Sequence, residues 1–127
     1  MFSHVMLGAD DLAASKAFYD ATFGAIGVAP GTKDPEKDRV FYMTDTGIFI
    51  ISKPINGEPA TCANGGTLGF AMASPEQTDA WHAAGVANGG TPCEDPPGVR
   101  DSPLGKLYLA YLRDPAGNKL CALHRMG

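Results

Sequence analysis

The chain has 127 residues, with 14 acidic against 10 basic side chains and a formal net charge of −4. That length suits one domain with a real buried core, and the scattered charges, with no basic run, argue against a nucleic-acid or anionic-membrane surface. The opening MFSHVMLGADD has no basic stretch leading into a long apolar one, and nothing approaches the roughly 18 apolar residues of a membrane span, so a cytoplasmic protein with soluble partners is expected.

In chain order, the first element is a strand opening at His4, with Val5, Leu7 and Ala9 on one face and His4, Met6 and Gly8 on the other. Asp10 or Asp11 then caps a helix that carries Phe18 and ends before the glycine break at Gly27. Strand-like runs follow from Val40 to Met43 and from Ile48 to Ser52, joined by the turn Asp45-Thr46-Gly47. A second strand-helix pair opens at Thr67. Its large residues Leu68, Phe70 and Met72 share a face, while Thr67, Gly69 and Ala71 share the other. Ser74 as cap, Pro75 at the first helical position and Gln77 three residues after the cap mark the helix start. The chain closes with strands from Leu107 to Leu112 and Leu120 to Leu123, around the turn Asp114-Pro115-Ala116-Gly117-Asn118.

The two halves repeat. His4 to Gly27 lies over Thr67 to Gly90 without a gap: Val5 matches Leu68, Leu7 matches Phe70, Phe18 matches Trp81 and Gly27 matches Gly90. The turns before the final strands also correspond, which sets Ile50 near Cys121 to within a residue or so. An α+β fold of two βαβββ modules is expected, residues 1–55 and 65–127. In each, the large-residue strand face packs under the helix, and the face with His4 or Thr67 is small and polar enough to line a cavity.

HVMLGADDLAASKAFYDATFG, together with the terminal DPAGN, resembles the vicinal oxygen chelate superfamily, the glyoxalase, bleomycin-resistance and extradiol-dioxygenase group. NGGTPCEDPPGVR followed by LYLAYLRDPAGN is similar to a branch of its small members. The resemblance implies two modules forming an incomplete barrel around a concave site, often in a homodimer. In metal-dependent members it also implies a His on the first strand and a Glu, Gln or similar residue on the last strand of each module. Carried onto this chain, those positions fall on His4, Thr67, about Ile50, and Cys121. A catalytic divalent site takes about three protein ligands plus an open position. One imidazole and one thiol could hold Zn²⁺ loosely, and they suit Mg²⁺ or Mn²⁺ poorly. No cofactor is therefore expected, with a divalent metal, Zn²⁺, as the weak alternative.

Each candidate has a plainer reading. His4 could be a core histidine bonded to backbone, and Cys121 a small buried hydrophobe. A reactive Cys121 needs a lowered thiol pKa, for which His4 is the neighbour the resemblance supplies. Arg100, expected on a loop, could be a solvated charge or a fork for a carboxylate or phosphate at the cavity mouth. Tyr108 and Tyr111 must point to opposite strand faces, so at most one lines the cavity. Phe18 and Trp81 are expected in the core, His82 exposed, and His124 on the strand face opposite Cys121. Cys62, Cys93 and Cys121 are neither a C-x-x-C pair nor an even framework, so reduced thiols are expected, with no role assigned to Cys62 and Cys93.

The expected function is binding of a small-molecule ligand in a cavity around His4, Thr67 and Cys121, bordered by Ile50, Arg100, Tyr108 and Tyr111. A metal-dependent lyase, isomerase or dioxygenase is the alternative, with ligands recruited from residues such as Glu58 or from a dimer partner. A metal-free variant would use His4 as base and Cys121 as nucleophile.

Overall fold

The computed structural model describes every residue from Met1 to Gly127. The first half forms β1 (His4–Gly8), α1 (Leu12–Gly24), β2 (Thr32–Lys33), β3 (Arg39–Thr44) and β4 (Gly47–Ser52). The second forms β5 (Leu68–Ala71), α2 (Pro75–Ala87), β6 (Thr91–Pro92), β7 (Gly98–Ser102), β8 (Gly105–Arg113) and β9 (Lys119–Arg125). Their sheets run β1-β4-β3-β2 and β5-β9-β8-β6, the same order twice, with β7 added as a hairpin against β8. In each, the first strand pairs parallel with the last, because a helix carries the chain between them, and the remaining pairs are antiparallel. The architecture is α+β with two open sheets.

The helix starts follow the local chemistry. Asp11, not Asp10, caps α1, accepting from the Ala14 amide at 3.0 Å. Asp10 instead accepts from the Ala60 amide at 2.8 Å and pins the connection between the halves. Ser74 caps α2 through the Gln77 amide at 3.1 Å, and Gln77 Oε1 reaches back to the Ala73 amide at 2.7 Å, one residue further than the usual box.

One hydrophobic cluster joins the halves: Phe18, Tyr19 and Phe23 of α1, Trp81 of α2, and helix-side residues of both sheets such as Tyr42, Phe49, Leu112 and Leu120. Phe49 and Phe70 meet across the halves with ring centroids 5.7 Å apart, in an edge-on arrangement that aromatic pairs favour. The two helices approach closely at Gly85. A Cβ there would stand 2.3 Å from Leu112 Cδ1 and 3.1 Å from Phe18 Cε1.

The closing turn is also an internal clamp. Asp114, 3% exposed, accepts from Tyr19 Oη at 2.5 Å, from the Asn118 amide at 2.9 Å and from Asn118 Nδ2 at 3.0 Å. Asn118 Nδ2 also donates to the Gly8 carbonyl at 3.0 Å. The Asp-Pro-Ala-Gly-Asn stretch therefore ties β8 and β9 to α1 and β1 of the other half.

Two expectations need correction. Arg100 lies on β7, not on a loop: Gly98–Ser102 pairs residue by residue with Leu109 to Gly105. His82 is half-buried rather than exposed, and that burial lowers its pKa against the opposing pull of Asp79.

Candidate functional site

Strand alternation decides which side chains share a surface. In the first sheet, Val5, Phe49 and Tyr42 lie side by side across β1, β4 and β3, as do Leu7, Ile51 and Val40. All six pack in or against the shared core. The intervening rows, His4 with Ile48 and Met43, and Met6 with Ile50 and Phe41, belong to the opposite face. The second sheet repeats this. Leu68, Leu120 and Leu112 form a helix-side row, while Gly69, Cys121 and Tyr111 form a row on the other face.

The register settles which positions are equivalent. Met6 pairs with Ile50, and Gly69 pairs with Cys121. Because Gly69 repeats Met6, Ile50 and Cys121 occupy corresponding places at the centre of their sheets. His4 and Thr67 correspond likewise, one at the start of β1 and the other immediately before β5.

Around Cys121 the second sheet builds a small cluster of its own. Cys121, 6% exposed, packs with Leu107 and Leu109, with Tyr111 and Leu123 against them. Burial pushes its thiol pKa up. A hydrogen bond from Tyr111 pulls the other way, the charge of Glu94 raises it further, and Lys119 lowers it. Lys119 pairs with Glu94, and its ammonium sits 5.1 Å from the centre of the Tyr111 ring, within cation–π range. This environment keeps the thiol protonated near neutral pH, which suits a packing residue and opposes a thiolate nucleophile.

The other selected residues separate. Tyr111 faces Cys121, whereas Tyr108 turns to the helix side and donates to Asp79 Oδ1 at 2.8 Å. Arg100 Nη2 donates to the Pro96 carbonyl at 2.8 Å. His124 accompanies Tyr108 and meets the Met72 carbonyl at 3.0 Å through Nδ1. Exposed His4 meets Ser3 Oγ at 2.8 Å through Nδ1. A cavity of about 350 Å³ opens between the halves at the start of β1 and β5, and of the seven selected residues it is lined by His4 alone. Glu58 lies in a separate polar recess with Asp10, Asp38 and Lys53. All three cysteines are free.

The architecture and its repeated register define a protein of the vicinal oxygen chelate class. A profile of the Glyoxalase/Bleomycin resistance protein/Dioxygenase superfamily matches residues 1–122, and the chain belongs to that superfamily. It is similar to a glyoxalase/bleomycin resistance protein from Albidiferax ferrireducens T118, with 64% identity, 98% of this chain and 99% of that chain covered, and a TM-score of 0.95. A lactoylglutathione lyase from Agrobacterium tumefaciens is 26% identical over 98% of this chain and 92% of that one, with a TM-score of 0.67. A glyoxalase-related enzyme from Fulvimarina pelagi shares the fold at 22% identity and a TM-score of 0.75, over 98% and 88% of the two chains. No curated protein matches the chain.

A metal of the kind this class implies does not fit the residues present. The corresponding positions supply an imidazole, a thiol held protonated by burial, a hydroxyl and an aliphatic side chain, short of three good donors. That deficit is the same whether one chain or two contribute the strands. Nor does any group of three or more His, Cys, Asp or Glu side chains come close enough elsewhere in the chain to hold an ion.

Proposed function

We propose that the chain is a metal-free, small-molecule-binding member of its family, working in the cytoplasm as a homodimer. The observation that carries this reading is the set of residues at two pairs of corresponding positions, His4 with Thr67 and Ile50 with Cys121. Three of the four have exchanged a chelating group for one that packs or donates a hydrogen bond, so the site keeps its shape and has lost its means of holding an ion.

The ligand lies on the faces turned away from the helices, around His4, Thr67 and Cys121, with Ile50 and Tyr111 as apolar walls and Arg100 near the rim. Within one chain the helix-side faces are consumed by the shared core, while Met6 and Met43 on the opposite face remain 43% and 64% exposed. A second copy laid across these faces removes that apolar surface from water and encloses the site between one chain's first sheet and the other's second. Tyr108, turned to Asp79, takes no part.

The test restores what was lost. In equilibrium dialysis against Zn²⁺, the triple variant Ile50→Glu, Thr67→His and Cys121→Glu retains about one ion per chain, and the wild type does not. A wild type that retains one ion per chain, and loses it on His4→Ala, would instead establish the metal-dependent lyase, isomerase or dioxygenase reading.

A further inference from the structure

The cavity between the halves opens at the edge of the faces just described, sharing His4, Ile48 and Gly69 with them, and runs in toward the helix side. Its floor is the edge-on trio Phe23, Phe49 and Phe70, with ring centroids 5.2 to 5.7 Å apart. Ile26, Val28 and Leu68 wall it, and the exposed residues Phe2, His4, Thr44 and Thr46 form its rim. Ten of its fifteen lining residues are hydrophobic, and none is Lys, Arg, Asp or Glu. The floor residues belong to or pack against the helix-side core, so the floor lies on the opposite side of the sheets from Cys121 and Tyr111.

We propose that this cavity is a second ligand site, taking a single-ring aromatic molecule with one hydrogen-bonding substituent. Size sets the first limit. A volume of about 350 Å³ holds roughly a dozen water-sized groups at about 30 Å³ each, and lies at the small end of ligand pockets. Polarity sets the second. A molecule with several charges would surrender its hydration and find no opposite charge in the lining. An aromatic ring placed on the floor extends the edge-on packing that the three phenylalanines already make. The single polar substituent belongs at the rim. With His4 Nδ1 engaged by Ser3 Oγ at 2.8 Å, Nε2 is the imidazole atom left to meet it, and Thr46 adds a hydroxyl, whereas that of Thr44 is taken up by the turn to Gly47. Phe2, 73% exposed, leaves the opening unfilled.

Phenol is the probe, titrated into the intact protein while the methyl resonances of Ile, Leu and Val are followed by NMR. Saturable shifts are expected at Ile26, Val28, Ile48 and Leu68, with Leu109 and Leu123 beside Cys121 unmoved. Val28→Trp, which fills the cavity from its wall, weakens phenol at least tenfold. Leu68→Phe gives the same result should the first variant fold poorly. His4→Ala weakens phenol severalfold and leaves toluene unchanged, because toluene has no group for the imidazole. S-hexylglutathione, a charged peptide conjugate, leaves the methyls of the four cavity residues unmoved. Shifts confined to Leu109 and Leu123 would overturn this second site while leaving the function proposed above intact. Absence of any saturable shift, or displacement of the cavity methyls by S-hexylglutathione in place of phenol, would overturn the proposal as well.

Discussion

Replacing Asp114 by Ala tests whether the family's closing turn is a structural clamp. The carboxylate accepts from Tyr19 Oη at 2.5 Å, from the Asn118 amide at 2.9 Å and from Asn118 Nδ2 at 3.0 Å. Asn118 Nδ2 keeps the Gly8 carbonyl after the substitution, at 3.0 Å. The buried donors left stranded are the Tyr19 hydroxyl, in a side chain with no exposed surface, and the Asn118 amide, while the half-buried Ala116 amide, also bonded to Asp114 at 3.0 Å, can turn to water. Hydrogen bonds to a charged group are each worth about 1.5–3 kcal/mol, so two orphaned donors cost about 3–6 kcal/mol, a large part of a typical domain's stability. At roughly 2–6 °C per kcal/mol for a chain of this size, the melting temperature falls by at least about 6 °C. Asp114→Asn, which keeps one accepting oxygen, falls between Ala and wild type. Tyr19→Phe alone removes one donor, and a double-mutant cycle with Asp114→Ala gives a coupling above about 1 kcal/mol. Denaturant unfolding of the four proteins makes the measurement. A loss under about 1 kcal/mol for Asp114→Ala, or additivity with Tyr19→Phe, would refute the clamp.

Three further outcomes follow from the same geometry. Burial, and then the charge and hydrogen bond of Asp114, push the Tyr19 pKa well above its ordinary value. Burial and the Asp20 hydrogen bond do the same to Tyr42. Because both are raised in the folded state, the stability they contribute is complete below the unfolded tyrosine pKa of about 10 and is lost as pH rises beyond it, by about 1.4 kcal/mol per pH unit for Tyr19. Urea melts between pH 9 and 12 should show this slope, reduced in Tyr19→Phe. Cys121, buried and with its thiol pKa raised, alkylates more slowly at pH 7.5 than the exposed Cys62 in single-cysteine variants. Faster labelling of Cys121 would revive its role as a nucleophile. Gly85→Ala forces a methyl into Leu112 and Phe18 at the helix contact, and thermal melts should show a destabilisation of about 1–3 kcal/mol.

Much of the fold was legible because its signals are local. Alternation assigned Val5, Leu7, Leu68 and Phe70 to the helix-side face, where all four pack against the core. Matching turns placed Ile50 opposite Cys121 in the repeat, and the pairings with Met6 and Gly69 carry the same correspondence. β7 escaped because Gly-Val-Arg-Asp-Ser has no apolar alternation. It pairs only with β8, and that neighbour supplies the strand geometry that its own residues do not specify. The burial of His82 was hidden because its neighbour Trp81 takes the core-facing position, and the remaining helix face still meets β8.

The site was harder to read for a related reason. Alternation set His4 and Thr67 on the cavity face and Tyr108 and Tyr111 on opposite faces, while the family resemblance pointed to Ile50, Thr67 and Cys121 as site positions. How the two modules dock decides what those faces meet, and that depends on contacts such as Phe49 with Phe70 and Tyr19 with Asp114, each distant in sequence. The aromatic cavity between the halves has no sequence signature: of its floor residues alternation gave a face only to Phe70, and the space among them exists only once the halves pack.

Metal analysis of the protein purified without added metal tests the central claim most directly. With Ile50, Thr67 and Cys121 at the positions where the class implies metal ligands, divalent metal far below one ion per chain is predicted, with no change on His4→Ala. One tightly held ion per chain, lost when His4 is replaced, would contradict it.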